Sequence, residues 1–191
     1  MFVLWFGWFG FNAGSELAMD NWVAHCITTT LLAGSAGVVG AGAAIWRKTG
    51  AMDVGMAGNG VLAGLVSITA GTGTMSFAGS VAVGFIGGVI VVYSVLFIER
   101  RGIDDPVGAV SVHGVCGAWG TLAIGFFARH DDAFLGRDDA GLFYGGGFDQ
   151  LLVQAIGVVI VAVWVLGTSA ILFKVLKSTV GLRVSAEEEL A

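Results

Sequence analysis

In the apolar run AVSVHGVCGAWGTLAIGFF, residues 109–127, His113 is the one side chain that ordinarily titrates near neutral pH. If the run crosses a bilayer, charging that imidazole costs on the order of a few kcal/mol, so the neutral form is favoured. A neutral imidazole offers one N–H donor and one bare acceptor nitrogen. Two readings stand side by side. The histidine is satisfied by a neighbouring helix, or it lines a pore, hydrogen-bonds a small neutral solute and passes a proton. Gly117 and Gly120 share its helical face and allow something to approach closely.

A second constellation lies in WFGWFGFNAGSELAMD, residues 5–20. Trp8, Phe11 and Ser15 are spaced i, i+3, i+7 and fall on one helical face. Aromatic faces beside a hydroxyl can hold a small cation through ring quadrupoles and one hydrogen bond. The plain alternative is an aromatic belt or packing, which is the better account of Trp5 and Phe9.

The cluster ERRGIDDP, residues 99–106, places Asp104 and Asp105 just before Pro106. Carboxylates in a first helical turn accept orphan N–H groups and favour the dipole, so capping is their expected work. His25 and His130 lack partners at metal-ligand spacing and read as structural or solvated. Cys26 and Cys116 sit in apolar segments and read as small buried packing residues. No nucleophile–base pair, nucleotide loop or metal spacing points to an enzyme, a cofactor or a metal site. No basic patch suggests nucleic acid.

These residues need elements to hold them. The chain has 191 residues, 56% hydrophobic and 12% charged, with 32 glycines and one proline. Soluble domains average about 25% charged residues, and a bilayer core needs roughly 20 apolar residues of helix. The pattern predicts an all-α, polytopic membrane helix bundle with about six transmembrane helices, near 2–19, 23–46, 54–71, 78–98, 106–128 and 150–176. The first begins without a basic leader or cleavage site, like a membrane helix entered partway in a fragment of a longer chain. Basic residues fix sidedness. Arg47, Lys48, Arg100, Arg101, Lys174, Lys177 and Arg183 fall on one side, and only Arg129 and Arg137 on the other. Both termini are therefore expected in the cytoplasm and the 129–149 loop outside. Glycines recur at Gly55, Gly58, Gly60 and Gly64, at Gly84, Gly87 and Gly88, and at Gly114, Gly117 and Gly120. Lipid gives helices little hydrophobic reason to associate, so small residues that admit close backbone contact must do so.

The stretch IDDPVGAVSVHGVCGAWGTLAIGFFA resembles the histidine-bearing tenth helix of the Amt/Mep/Rh family of ammonium transporters. LWFGWFGFNAGS resembles their sixth helix and NGVLAGLVSITA their eighth. AGLFYGGGFDQLLVQ and TVGLRVS resemble the eleventh and the start of the tail. The resemblance covers nearly the whole chain and agrees with the sidedness above. It implies an inverted-repeat fold of eleven helices in a homotrimer, with one pore per subunit in the cell (plasma or inner) membrane. This chain matches the second repeat plus the last helix. Residues 1–180 would be a partial membrane domain and 181–191 the start of the cytoplasmic tail.

By the same resemblance His113 is one of two stacked pore histidines, Phe11 one of two phenylalanines gating the outer mouth, and Ser15 a ligand of the outer ammonium site. Trp8 lines the pore beside the histidines. The partner histidine, second phenylalanine, recruiting tryptophan and fifth-helix aspartate belong to helices that the chain does not match. TAGTGTMS lacks a proline many relatives have, and SAEEELA stops short of the segment relatives use to dock PII-type nitrogen regulators. The implied function is conduction of ammonia, with or without a separate proton. A passive Rh-type gas channel, a membrane ammonium sensor or scaffold, and a non-functional fragment are the alternatives.

Overall fold

Capping residues set the helix limits in the computed structural model, which describes residues 1–129 and 139–189. Helix α1 (Phe2–Gly14) precedes α2 (Asn21–Thr49), α3 (Val54–Thr69) and α4 (Phe77–Arg100). A six-residue π turn, Val110–Val115, runs directly into α5 (Cys116–Phe127). A 3₁₀ turn at Leu142–Tyr144 leads to α6 (Asp149–Thr179) and the short α7 (Ala186–Glu189). Asp20, Asp53 and Ser76 accept N–H groups of Trp22, Met56 and Gly79 and so start α2, α3 and α4. Gly50, at φ 76°, closes α2 in the left-handed conformation that glycine adopts without strain. His130 and Arg137 lie outside the described residues.

Helices form at all six expected places. Helices α2, α4, α6 and the continuous Val110–Phe127 segment are long and apolar enough to cross a membrane, whereas α3 has 16 residues. Helix α1 has 13 and spans about 20 Å, short of a bilayer core of about 30 Å. It ends at Gly14 rather than near 19 because the chain turns at Leu17, φ 59°, to deliver Asp20 to the start of α2. The fifth helix starts at Val110 rather than at Pro106. Asp105–Gly108 forms a turn closed by Gly108 N–H to the Asp105 carbonyl at 2.9 Å, and Gly108 takes φ 70°. Asp at the first, Pro at the second and Gly at the fourth position are what such a turn prefers.

The chain divides into two compact units, Met1–Ala155 and Ile156–Ala191. In the first, α2, α3 and α4 pack against one another at backbone distance. An added Cβ at Gly64 would fall on the Ala33 carbonyl oxygen, and one at Gly88 on that of Gly37. Two apolar clusters fill the contacts. One joins Ile45, Val91, Val92, Val95, Val112 and Cys116, and the other Ala33, Ile68, Met75, Val83 and Ala123. Cys26 and Cys116 are both buried. The second unit holds the rest of α6 and α7, and none of the α6 residues is buried.

Candidate functional site

Trp8 and Phe11 stand on the last two turns of α1 and Ser15 caps its C-terminal end. The rings of Trp8 and Phe11 meet edge to face, with centroids 5.9 Å apart at 82°, the arrangement that aromatic quadrupoles favour. Phe11 is 59% exposed. The Trp8 indole Nε1–H donates to Thr69 Oγ1 on α3 at 2.8 Å, so Trp8 presents ring surface rather than its N–H. Ser15 Oγ donates to the Phe11 carbonyl one turn back at 2.6 Å. With its proton committed there, the exposed Ser15 oxygen has only acceptor capacity left for a visitor. An N–H donor fits that oxygen.

His113 lies within the π turn and is exposed on its helix. It forms no hydrogen bond or ring contact with another described residue. Its helix start is built by Asp105, 6% exposed, whose carboxylate accepts from Val110 N at 3.1 Å and Ser111 N at 3.3 Å. Asp104 is exposed. A π turn closes its hydrogen bonds over one residue more than the α-helix and is frequent at functional sites. Nothing in the residue pattern of VSVHGV announces it. Ser111, beside His113 in that turn, takes a hydrogen bond from Ser94 of α4 at 2.9 Å.

Helix α3 lies against both groups. A Cβ added at Gly117, one turn beyond His113, would sit 3.7 Å from Val66 Cγ1. Val66 and Thr69 are one helical turn apart, so the His113 helix and Trp8 meet one strip of α3. Gly120 packs tighter still, with its added Cβ falling on the backbone of Ser67. The fold thus groups Trp8, Phe11 and Ser15 and sets His113 on a second helix against the same support. His25 is occupied elsewhere: its Nε2–H donates to the Met75 carbonyl at 3.0 Å, and its ring stacks on Phe77 at 5.2 Å. Thr69, Thr30 and Asn12, which hold α1 in place, escaped the sequence reading. The one signal was a polar Asn inside FGFNAGS.

Membrane-length apolar helices, packed through glycine and presenting aromatic, hydroxyl and imidazole groups, define a polytopic α-helical membrane protein. The model of the Ammonium Transporter Family matches residues 1–191, and the chain belongs to that family. It is 45% identical over 194 residues to the ammonium transporter Amt2 of Archaeoglobus fulgidus, across 99% of this chain and 41% of that protein. An ammonium transporter of Mycobacterium tuberculosis is 37% identical over 195 residues, across 98% of this chain and 40% of its own length. Among solved structures, a Sensor Amt Protein superposes with a TM-score of 0.88 at 37% identity, over 98% of this chain and 45% of that one. Mep2 of Candida albicans gives 0.89 at 29% identity, over 97% and 42%. The chain therefore spans about two fifths of the length of the curated relatives it matches.

Proposed function

We propose that this chain contributes half of an ammonium-conducting pore, with Ser15, Phe11 and Trp8 receiving the ion and His113 escorting ammonia beyond them. The carrying observation is the back-bonded Ser15 hydroxyl, reduced to an acceptor, beside exposed Phe11 and edge-on Trp8. That set suits a cation bearing N–H groups: the rings attract its charge and the oxygen accepts its proton. Ammonium and potassium are nearly the same size, so diameter separates them poorly. Ammonium can shed a proton and potassium cannot. An apolar lumen that rejects both ions therefore admits ammonia, and a neutral imidazole at His113 hydrogen-bonds it in passage. The proton crosses separately by way of histidine, or is left behind as in a passive Rh-type channel.

In this reading residues 1–180 belong to the membrane domain and 181–191 begin a cytoplasmic tail, with both ends of the chain on the side of the seven basic residues. The complete protein is a homotrimer in the plasma or inner membrane, and its tail region meets a PII-type nitrogen regulator. A second reading, an ammonium sensor, draws on the likeness to the Sensor Amt Protein.

The test is uptake of labelled methylammonium, with potassium flux alongside, in cells lacking their own ammonium transport. His113→Ala is expected to abolish uptake or to let potassium pass, and Ser15→Ala to weaken uptake at low substrate. Undiminished flux and selectivity in His113→Ala would sink the assignment. Uptake without current would select the passive channel. Ammonium binding without uptake would select the sensor.

A further inference from the structure

Helix α1 carries Trp8 and Phe11 and buries few of its own residues. Asn12 and Ala13 are its only buried residues. Asn12 is 2% exposed, and its Nδ2–H donates to Thr30 Oγ1 on α2 at 2.9 Å. The chemistry at Thr30 fixes which way the amide points. The Thr30 hydroxyl proton goes to the Cys26 carbonyl at 2.6 Å, so the Thr30 oxygen must accept, and only the amide N–H can donate to it. Thr72, in the link after α3, joins the same knot. Its Oγ1 lies 2.9 Å from Thr29 Oγ1 and 3.3 Å from Thr30 Oγ1, and its carbonyl accepts from Thr29 Oγ1 at 2.9 Å.

Among the described residues, Asn12–Thr30 and Trp8–Thr69 are the two side-chain hydrogen bonds that tie α1 to other elements. Trp8 and Asn12 are one turn apart on one face, and Phe11 lies between them in the chain. Each tether fixes one point of α1 against rotation about its axis, and a rotation would move Phe11, Trp8 and Ser15 together. Among the described residues the buried Asn12 Oδ1 atom has no hydrogen-bond partner. A residue present only to fill space would not carry that uncompensated oxygen. The direction imposed by its N–H is what the amide supplies.

We propose that Asn12 is a positioning residue for ammonium conduction: anchored on Thr30, which Thr72 backs, it fixes the rotation of α1 and thereby sets Phe11 and Trp8 for the incoming ion. The inference rests on the transport reading above and extends it to a residue that does not touch the ion.

The test uses the protein expressed from its natural reading frame in cells lacking ammonium uptake. Asn12→Leu keeps the number and branching of the side-chain heavy atoms and removes the tether, Thr30→Val removes the acceptor, and Thr30→Ser restores it. Membrane abundance is measured beside the KM and maximal rate for methylammonium. At undiminished abundance, Asn12→Leu and Thr30→Val should each raise KM about fivefold, the worth of one hydrogen bond. The double variant should be no worse than either single, and Thr30→Ser should return to the parent. Unchanged KM, multiplying effects in the double variant, or loss of both single variants from the membrane would each overturn the proposal. If the parent takes up no methylammonium, the transport reading fails by itself. Positioning is then read from a Phe11→Cys variant labelled with a membrane-impermeant thiol reagent: a changed labelling rate on adding Asn12→Leu supports it, and equal rates overturn it.

Discussion

The Trp8 indole donates to the Thr69 hydroxyl at 2.8 Å across 61 residues of sequence. Thr69 sends its own proton back to the Leu65 carbonyl, one turn earlier, at 2.7 Å. Thr30 and Ser15 do the same toward Cys26 and Phe11. Back-bonding of this kind slightly disfavours a helix interior, but here it turns a hydroxyl that could donate or accept into a fixed acceptor. Two of these acceptors hold α1, and the third, on Ser15, is exposed.

Thr69→Val keeps shape and removes the acceptor, leaving the half-buried Trp8 N–H unanswered. The cost is expected to be about 1–3 kcal/mol. Chemical denaturation of the purified protein in detergent checks the loss, and Thr69→Ser should recover most of it. The same variant should raise the KM for methylammonium, because the Trp8 ring is no longer held edge-on to Phe11.

Much of this arrangement was legible in the residue order, and the rest was hidden for identifiable reasons. The Trp8, Phe11 and Ser15 face followed from helical spacing, and the six helices from apolar runs between charged links. The early stop of α1 did not, because Leu17 takes a left-handed conformation that an ordinary L-residue seldom adopts and no local pattern marks. At Asp105-Pro106-Val107-Gly108 two local rules competed. Proline suits the first turn of a helix and also the second position of a β-turn, and the positive φ of Gly108 decides for the turn. Asn12 was invisible as an anchor because its partner lies on another helix, where only tertiary packing brings it within reach.

The glycines divide into those that cannot accept a side chain and those that can. At Gly88 an added Cβ meets the Gly37 carbonyl oxygen, a backbone atom that can move only if two helices separate. Gly88→Ala should therefore cost about 1–3 kcal/mol, the usual range for overpacking. At Gly117 the nearest atom is a valine methyl at 3.7 Å, ordinary contact. Gly117→Ala should fold to parental levels, and any effect it has should appear in flux past His113. Membrane abundance and uptake measured together separate the two.

In the second unit, Ser185 and Glu188 form a reciprocal cap at the start of α7. Glu188 Oε2 accepts from the Ser185 backbone N–H and hydroxyl, each at 3.0 Å, and the Glu188 N–H donates to Ser185 Oγ at 3.3 Å. The Ser185 backbone N–H, and after it the hydroxyl, pull the Glu188 carboxyl below its usual value. A lowered carboxylate contributes stability that is complete above its unfolded value and disappears as pH falls through the folded one. The α7 cap should therefore persist at neutral pH and open on acidification through the carboxylate range. The Ser185 amide resonance should follow that titration in an isotope-labelled sample. In Glu188→Gln the acid-dependent shift should vanish.

Asp105 couples the loop before the fifth helix to the turn that carries His113. Its buried carboxylate satisfies Val110 N and Ser111 N, two amides of the helix start, where the first N–H groups lack partners within the helix. Asp105→Ala leaves both unanswered and should cost about 1–2 kcal/mol, as for other lost N-terminal caps. Asp105→Asn retains one acceptor oxygen and should cost less. Asp104 is exposed, so Asp104→Ala should stay within about 0.5 kcal/mol of the parent. Hydrogen exchange localises the effect: the Val110 and Ser111 amides should lose protection in Asp105→Ala, while those of α4 keep theirs. Because His113 sits two residues past Ser111 in the same turn, that loosening should also lower methylammonium flux. If exchange at Ser111 rises and flux does not change, the π turn is not what places the imidazole.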